Sequence, residues 1–453
     1  MMADAYRTVW RWHFYAGLLC IPFVLWLSLT GGVYLFRPQV EALIDRSYAQ
    51  VAADAGPRRS PAAIAAAAVA AVPGATLHRY QLPDTPTQAV QVIIGRGPVE
   101  TRVYVHPASL AVLKTVGEQD RLMRVVFRLH GELLAGNPGS YLVELAASWT
   151  IVMILTGLFL WWPRGYGPAG VLWPRLRSGG RRFWHDLHGV TGFWVSGMAL
   201  ALLVSGLPWA KSWGSYLAAV RTVAEGGATV QDWPSGAARS APAIGTRAMA
   251  DAHLEHGGMA MPHPAVPLGA LDRLVPTLAA QRLAAPVLVS PPTGAGQPWT
   301  AKSDAADRPL RSDLTLDGAS GRVLTRIDFP QRRLVDRLVG YGVALHEGQL
   351  FGWANQLVNL LTAAGLILLT VSSVVLWWRR RPAGMLGAPP SPRGARASLA
   401  IIALVVALGL LLPLFGASLL LVLLAERAVL RRWTAAARWL GLQRTVNMTR
   451  STT

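Results

Sequence analysis

The chain has 453 residues, of which 52% are hydrophobic and 18 are tryptophan, and its formal net charge at neutral pH is +19. This composition is too apolar for an ordinary soluble protein of this size and places the chain in a lipid bilayer. The basic residues have few aromatic residues among them, so they indicate lipid headgroups as partners and argue against nucleic acid. A single cysteine excludes disulfides and thiolate-bound iron–sulfur clusters.

Five apolar segments are long enough to cross a membrane, which takes about 20 residues. The first, from Phe14, is longer than a signal-peptide core and lacks a small-residue cleavage site, so we interpret it as a retained anchor. The predicted segments are a first span with its leader (1–36), an outer domain (37–140), a second span (141–162), a loop (163–189), a third span (190–210), a second outer domain (211–352), a fourth span (353–378), a basic loop (379–398), a fifth span (399–424) and a tail (425–453).

Arginines in the short loops predict the orientation, because such loops resist translocation. The loops 163–189 and 379–398 are both basic, which predicts a cytoplasmic amino terminus and places the two long domains on the outer face. The fifth span conflicts with this rule. Its basic tail would lie outside unless Pro413 and Gly416 mark a re-entrant break, and the sequence leaves both alternatives open.

Four histidines recur at matched positions, which indicates an internal duplication. His13 precedes Gly31 by 18 residues, and His188 precedes Gly206 by 18. Two more fall before Trp-Trp pairs: His130 lies 31 residues before Trp161, and His346 lies 31 before Trp377. We interpret the Trp-Trp pairs, Trp161-Trp162 and Trp377-Trp378, chiefly as anchors at the headgroup level. The chain is therefore expected to contain two copies of a helix–domain–helix unit.

The two outer segments also resemble each other. Val103–Leu113 aligns without gaps to Leu314–Leu324, and each reads as strand, tight turn and strand. A helical stretch at Pro61–Ala71 and strands at Ala89–Ile94 and Val99–Val105 come with the first of these. The expected fold class is therefore an α-helical transmembrane bundle of four core helices in two repeats plus one carboxyl-terminal helix, with two small α+β domains.

The histidine contexts resemble those of the PepSY-associated transmembrane family, which includes bacterial inner-membrane ferric-siderophore reductases. The matching motifs are Trp12-His13-Phe14-Tyr15-Ala16-Gly17-Leu18, Leu129-His130-Gly131-Glu132-Leu133-Leu134, Trp184-His185-Asp186-Leu187-His188-Gly189-Val190-Thr191-Gly192, Leu345-His346-Glu347-Gly348-Gln349-Leu350-Phe351-Gly352 and both Trp-Trp pairs. The resemblance covers residues 8 to 381. It implies PepSY-like periplasmic domains, the bacterial inner membrane and a ferric-siderophore or other ferric chelate as substrate.

The predicted topology pairs the four histidines by depth. His13 and His188 start helices at the cytoplasmic face, whereas His130 and His346 precede helices that enter from outside. Two imidazoles fill both axial positions of a haem iron, so two haem b groups are expected, one near each face. A hydrocarbon layer of about 30 Å favours two cofactors over one. His185 competes with His188 as a ligand, although His13 aligns with His188.

Two further sets of side chains are candidate binding groups. Arg181 and Arg182 on the inner side, and Arg124 and Arg128 on the outer side, are placed to bind haem propionates or simply lipid phosphate. An outer loop holds His253, His256 and His263 with Met259 and Met261, which could bind copper or ferrous iron or be a plain polar loop.

The leading hypothesis is a transmembrane b-type cytochrome that reduces a ferric chelate, because ferrous iron leaves a hard-oxygen siderophore more easily than ferric iron. No nucleotide or flavin fingerprint is evident in the chain, which leaves quinol or a separate cytosolic flavin reductase as the electron donor. The rival hypothesis is a non-redox membrane protein whose outer domains bind peptides or chelates for transport or sensing.

Overall fold

The computed structural model describes residues 2–51, 56–162, 168–225, 267–294, 296–389 and 399–442. Its helices are α1 (Met2–Tyr34), α2 (Arg37–Ile44), α3 (Arg46–Ala49), α4 (Pro61–Ala70), α5 (Leu122–Glu132), α6 (Asn137–Trp161), α7 (Gly180–Gly206), α8 (Lys211–Glu225), α9 (Leu271–Ala280), α10 (Leu334–His346), α11 (Trp353–Arg380), α12 (Leu399–Leu411), α13 (Pro413–Ala425) and α14 (Thr434–Trp439). Its strands are β1 (Thr76–Gln81), β2 (Val90–Arg96), β3 (Val99–Val105), β4 (Val112–Gly117), β5 (Val287–Ser290), β6 (Trp299–Ser303), β7 (Ser312–Leu316) and β8 (Val323–Asp328).

The chain divides into two compact units, each discontinuous in sequence. The membrane unit comprises Met1–Val33, Arg128–Leu217 and Leu357–Thr453, and the sheet unit comprises Tyr34–Phe127 and Ala218–Gln356. Both units therefore contain parts of both copies of the repeat, because each copy contributes its long apolar helices to the membrane unit and its strands to the sheet unit.

The described residues contain five helices that are long and apolar enough to cross a membrane, so the protein is a multi-pass membrane protein. They are Ala5–Tyr34, Asn137–Trp161, Gly180–Trp209, Trp353–Arg380 and Pro413–Leu430. The first and third begin earlier than the sequence predicts, since their leading turns carry Arg and Trp and do not count as apolar. His13 and His188 therefore lie inside α1 and α7, and the prediction that they start helices is wrong.

The strands form one antiparallel sheet in the order β4-β3-β2-β1-β5-β6-β7-β8. The two outer segments, 37–140 and 211–352, each contribute four strands to this one sheet. The two four-stranded halves join where Tyr80 and Gln81 of β1 pair with Val289 and Leu288 of β5. This pairing covers edges that each half alone would leave exposed.

One apolar core lies under both halves of the sheet. The helices α4 and α9 supply Ile64, Ala68, Leu271 and Leu274 to it, and all four side chains are at most 1% exposed. Burying a side chain such as leucine contributes about 1.5–3 kcal/mol, so the shared core stabilises the joined sheet. The predicted helix at Pro61–Ala71 and the strand at Val99–Val105 are confirmed.

The duplication predicted for the outer segments is visible in the strand register. The β3–β4 pair shifts register between Tyr104 and Val105, and the β7–β8 pair shifts between Thr315 and Leu316. These positions are equivalent in the predicted alignment. The two copies therefore share an irregularity as well as a sequence pattern.

The segment predicted as one fifth span is a helical hairpin. Pro413 has no backbone N–H, and the chain breaks at Leu412 between α12 and α13. The two arms approach closely, because a Cβ at Gly416 would lie 2.7 Å from the carbonyl oxygen of Gly409.

The hairpin returns the tail to the end of the membrane unit at which it began. Leu386, in the loop after α11, donates its N–H to the carbonyl of Trp439 in α14 at 3.0 Å. Arg11 of α1 donates to the carbonyls of Pro389 and Gly441 at 2.7 and 3.0 Å. The basic tail thus lies at the same end as the arginines after α11, as the positive-inside rule requires, and the re-entrant alternative accounts for it.

Candidate functional site

The first repeated histidine, His13, projects from α1 onto α6. Its Nδ1 lies 3.1 Å from the carbonyl oxygen of Met153 and 3.1 Å from the hydroxyl of Thr156. The ring approaches α6 over Gly157, where an added Cβ would lie 3.1 Å from Cε1 of His13. The absence of a side chain at Gly157 therefore lets the imidazole reach the backbone of the neighbouring helix.

The second, His188, has equivalent partners in the other copy. It projects from α7 onto α11, with its Nδ1 3.3 Å from the carbonyl oxygen of Leu369 and 3.2 Å from the hydroxyl of Ser372. Ser372 lies five residues before Trp377, just as Thr156 lies five before Trp161. The repeat therefore preserves the imidazole and its two hydrogen-bonding partners together.

These contacts determine which ring nitrogen carries the proton. A carbonyl can only accept a hydrogen bond. The hydroxyl of Thr156 donates to the carbonyls of Val152 and Met153, both at 2.9 Å, and the hydroxyl of Ser372 donates to Leu369 at 3.0 Å. Both hydroxyls therefore also act as acceptors toward the rings. Nδ1 is the protonated nitrogen of His13 and His188, and Nε2 keeps its lone pair.

The rings of His13 and His188 lie within electrostatic range of each other, on α1 and α7. The ring of His185 is likewise within range of His188. The competing residue, His185, is turned away: its side chain is 76% exposed, and its Nδ1 lies 3.8 Å from the neighbouring carboxylate of Asp186. His188 contacts α11 whereas His185 is exposed, and the choice of His188 as the ligand stays a prediction.

His130 has the same kind of hydroxyl partner as the first two histidines. It lies in α5, and its Nδ1 is 3.0 Å from the hydroxyl of Thr30, which itself donates to the carbonyl of Trp26 at 2.8 Å. A Cβ at Gly31 would lie 3.1 Å from Cε1 of His130. Trp26 also donates its indole N–H to Leu129 at 3.1 Å, which holds α5 against α1.

His346 ends α10 and belongs to the sheet unit. The loop that follows it is held by Asn355, whose Nδ2 donates to the carbonyl of Leu345 at 3.1 Å and whose Oδ1 accepts from the N–H of Leu350 at 3.2 Å. The backbone around His346 is thereby fixed on both sides. The pairing of His346 with His130 stays a prediction.

The four predicted propionate-binding arginines have different surroundings. Arg124 donates from Nε to Gln119 at 3.1 Å, and its guanidinium lies 4.8 Å above the ring of Phe127. Nε of Arg128 lies 3.9 Å from the carboxylate of Glu132. Arg181 and Arg182 lie exposed in the first turn of α7. Their role toward a propionate stays a prediction.

The second predicted metal site, at His253, His256 and His263 with Met259 and Met261, lies outside the described residues. Within the described ranges, the structure contains no group of three or more His, Cys, Asp or Glu side chains placed to hold a metal ion. A pair of imidazoles would not form such a group.

In each Trp-Trp pair, the first indole holds the loop that follows its helix. Trp161 donates its N–H to the carbonyl of Val171 at 3.2 Å, and Trp377 donates to Leu386 at 2.9 Å. The second residues, Trp162 and Trp378, are 66% and 61% exposed. The anchoring role of the Trp-Trp pairs stays a prediction.

A family model for the PepSY-associated TM region matches residues 10–380. The chain belongs to this family. The match includes all four repeated histidines and ends before the α12–α13 hairpin. Direct comparison with curated proteins finds no match.

Two features of the site were missed by sequence reasoning. Thr30, Thr156 and Ser372 were not identified, although the equal spacing of Thr156 and Ser372 from the Trp-Trp pairs was a signal that could have found two of them. The second feature is the buried carboxylate of Asp186, which accepts from Nε and Nη2 of Arg175 at 2.6 and 2.7 Å. This pair holds the preceding loop against α7, close to His188.

Proposed function

We propose that the protein is a haem b-containing oxidoreductase of the bacterial inner membrane that passes electrons outward to reduce a periplasmic ferric-siderophore or other ferric chelate. One observation carries the proposal: His13 and His188 interact, and each has Nδ1–H bound to a backbone carbonyl and a hydroxyl. Histidines that ligate a metal through Nε2 commonly donate Nδ1–H in this way. Helices of a bundle commonly supply such ligands in facing pairs.

The donor set fits a haem iron. Two neutral imidazoles with Nε2 lone pairs can fill both axial positions, which suits electron transfer because no coordination position stays open. When bound, a haem supplies one-electron transfer. The protein residues hold the rings: Met153 and Leu369 fix the ring orientations, while Thr156 and Ser372 keep the proton on Nδ1.

A second haem is proposed for His130 and His346. The support is the sequence repeat, together with the 3.0 Å contact between Nδ1 of His130 and the hydroxyl of Thr30, which resembles the Nδ1 contacts of His13 and His188. A single cofactor would leave much of a hydrocarbon layer of about 30 Å to be crossed in one step. Two sites at different depths shorten that step.

The proposed membrane orientation and the proposed substrate are supported by different observations. The gathering of Arg11, the loop after α11 and the basic tail at one end of the membrane unit supports a cytoplasmic position for that end. The ferric chelate comes from the family resemblance. The proposed electron donors are quinol or a cytosolic flavin reductase.

The first experiment is a haem measurement on the purified full-length chain. We expect a red protein with two haem b groups per chain and a Soret band that shifts on reduction with dithionite. The double variant His13→Ala plus His188→Ala should retain one haem, whereas the matched control His185→Ala should retain two, because His185 is exposed.

The second measurement is reduction of a ferric chelate by the dithionite-reduced protein in vesicles. We expect ferrous iron to form with the normal chain, and we expect its rate of formation to fall at least tenfold with the double variant. A colourless chain, or a double variant with its full haem content, would contradict the proposal. A colourless chain that binds chelates or peptides would favour the non-redox alternative.

A further inference from the structure

The end of the membrane unit that holds the tail contains an open groove. It has a volume of about 340 Å³ and is lined by seven residues from the end of α11, the loop after it and α14, among them Trp378, Arg381, Met385 and Trp439. The hydrogen bonds from Trp377 to Leu386 and from Leu386 to Trp439 tie the two walls together. The groove walls from Arg381 onward lie beyond the family-matched residues 10–380.

The lining combines flat aromatic surface with positive charge. The indoles of Trp378 and Trp439 are 61% and 50% exposed. The guanidinium of Arg381 lies 4.1 Å above the ring of Trp378, and none of the seven lining residues is acidic. A stacked guanidinium keeps its N–H groups in its own plane, where they suit a phosphate. The groove therefore fits a planar ring that carries a phosphate.

The groove lies at the same end of the unit as the His13–His188 pair. Trp378 follows Ser372, the partner of His188, by six residues, which is about 9 Å of helix rise. The residue before Arg381, Arg380, lies 5.0 Å above the ring of Phe14, the neighbour of His13. A molecule in the groove would thus be within a short distance of both histidines along the helices that carry them.

We propose that this groove binds a reduced flavin of the flavin mononucleotide class, which would be the electron donor of the proposed function. The inference rests on that function. A quinol has the planar ring but no phosphate for Arg381, and a lipid headgroup has the phosphate but no ring for the two indoles. Oxidation of one dihydroflavin to flavin releases two electrons and two protons, and the two electrons reduce two ferric ions to ferrous ions.

The test is a titration of the full chain with flavin mononucleotide, in nanodiscs of zwitterionic lipid, followed by flavin fluorescence. We expect saturable binding, with riboflavin, which lacks the phosphate, binding about tenfold more weakly. Arg381→Gln should weaken binding of flavin mononucleotide about tenfold through loss of one charged contact. Trp439→Ala should weaken the binding of both flavin mononucleotide and riboflavin. The matched control Arg379→Gln should change neither, because Arg379 is exposed at the same helix end but does not line the groove.

Three results would overturn the assignment: no binding, equal affinity of Arg381→Gln and the normal chain, or loss of binding when anionic lipid is added at constant ionic strength. The last would make the groove a lipid headgroup site. Haem content separates this inference from the proposed function. A red chain that dithionite reduces but that binds no flavin overturns the groove alone, whereas a colourless chain that binds flavin supports the groove and overturns the electron-transfer function.

Discussion

Nδ1 of His106, in the sheet unit, and Nδ1 of His13 and His188, in the membrane unit, have opposite hydrogen-bonding roles. In the sheet unit, Nδ1 of His106 accepts the N–H groups of Ala108 and Ser109, both at 3.2 Å, and caps the turn between β3 and β4. The other copy has Asp317 at this position, where it accepts from Ala319 and Ser320 at 3.2 and 3.1 Å. The turn needs only a hydrogen-bond acceptor at this position, so the two copies can have different residue types there.

The membrane unit shows the reverse. Both copies keep an imidazole, at His13 and His188, and both place a hydroxyl and a carbonyl on Nδ1. There Nδ1 donates, whereas in His106 it accepts. A histidine that both copies keep together with its partners serves a property of imidazole itself, which supports ligation through Nε2.

The largest expected effect comes from placing aspartate in both units. His13→Asp should remove the haem bound by His13 and His188, because a carboxylate cannot replace the imidazole donor, and the pyridine haemochrome assay should show one haem fewer per chain. His106→Asp should leave haem content and sheet stability unchanged, because Asp317 already does the same work in the other copy. A loss of haem in His106→Asp, or no loss in His13→Asp, would contradict the different roles assigned to these two histidines.

In the sheet unit, the buried ion pair of Arg102 and Glu118 stabilises the fold, and acidification should weaken this pair. Burial opposes ionisation of Glu118, but the guanidinium of Arg102, with Nε 2.5 Å from the carboxylate, outweighs it and holds the pKa of Glu118 below its usual value. The carboxylate therefore stabilises the fold above the pKa of the unfolded chain. That stability is lost as the pH falls through the lowered folded pKa.

The prediction is a loss of about 1–3 kcal/mol from the sheet unit on acidification through this range. Hydrogen exchange of the β2 and β3 peptides, corrected for the intrinsic rate, measures it. Glu118→Gln should already exchange faster at neutral pH and should lose this part of the pH dependence. An unchanged pH dependence in the variant would assign the effect to other groups.

Much of the fold could be predicted because the relevant patterns are local. The helix α4, the strand β3 and the alignment of the two hairpins follow from residue spacing and turn formers. The pairing of β1 with β5 could not be predicted, because the sequence of an edge strand does not determine which distant strand it pairs with. A turn position such as that of His106 is typical of a surface residue, yet His106 is 9% exposed, because the folded turn buries it.

The histidines of the candidate site could be predicted from the sequence, but the groups that contact their Nδ1 atoms could not. The repeat identified His13 and His188, but the Nδ1 contacts come from α6 and α11, which are remote in sequence. The sequence left open whether residues 399–424 form one span or break at Pro413, because an apolar run alone does not show where a chain turns. Pro413 supplied the break, and the tail contacts show its consequence.

A smaller effect is expected when the turn acceptor is removed altogether. His106→Ala would leave the N–H groups of Ala108 and Ser109 without that acceptor in a mostly buried turn, which should cost about 1 kcal/mol of unfolding free energy. Hydrogen exchange at the β3–β4 turn measures it. His106→Asp is the matched control and should behave as the normal chain; equal destabilisation by both substitutions would mean that ring packing, not acceptance, matters there.

The smallest expected effect concerns the hydroxyls that bind Nδ1 of the membrane histidines. Thr156→Val and Ser372→Ala each remove one acceptor but leave the carbonyl of Met153 or Leu369, so haem should stay bound. An imidazole whose Nδ1–H is held less strongly is a weaker electron donor to iron, which disfavours the ferric state and raises the reduction potential. We expect a rise below about 59 mV, the value of a tenfold change for one electron. Thr362→Val, which removes a hydroxyl bonded to its own helix at Val358, is the control and should leave the potential unchanged. A fall in potential, or an equal rise in the control, would show that these hydroxyls serve helix packing alone, and the contrast between the two units would then rest on the histidines without their partners.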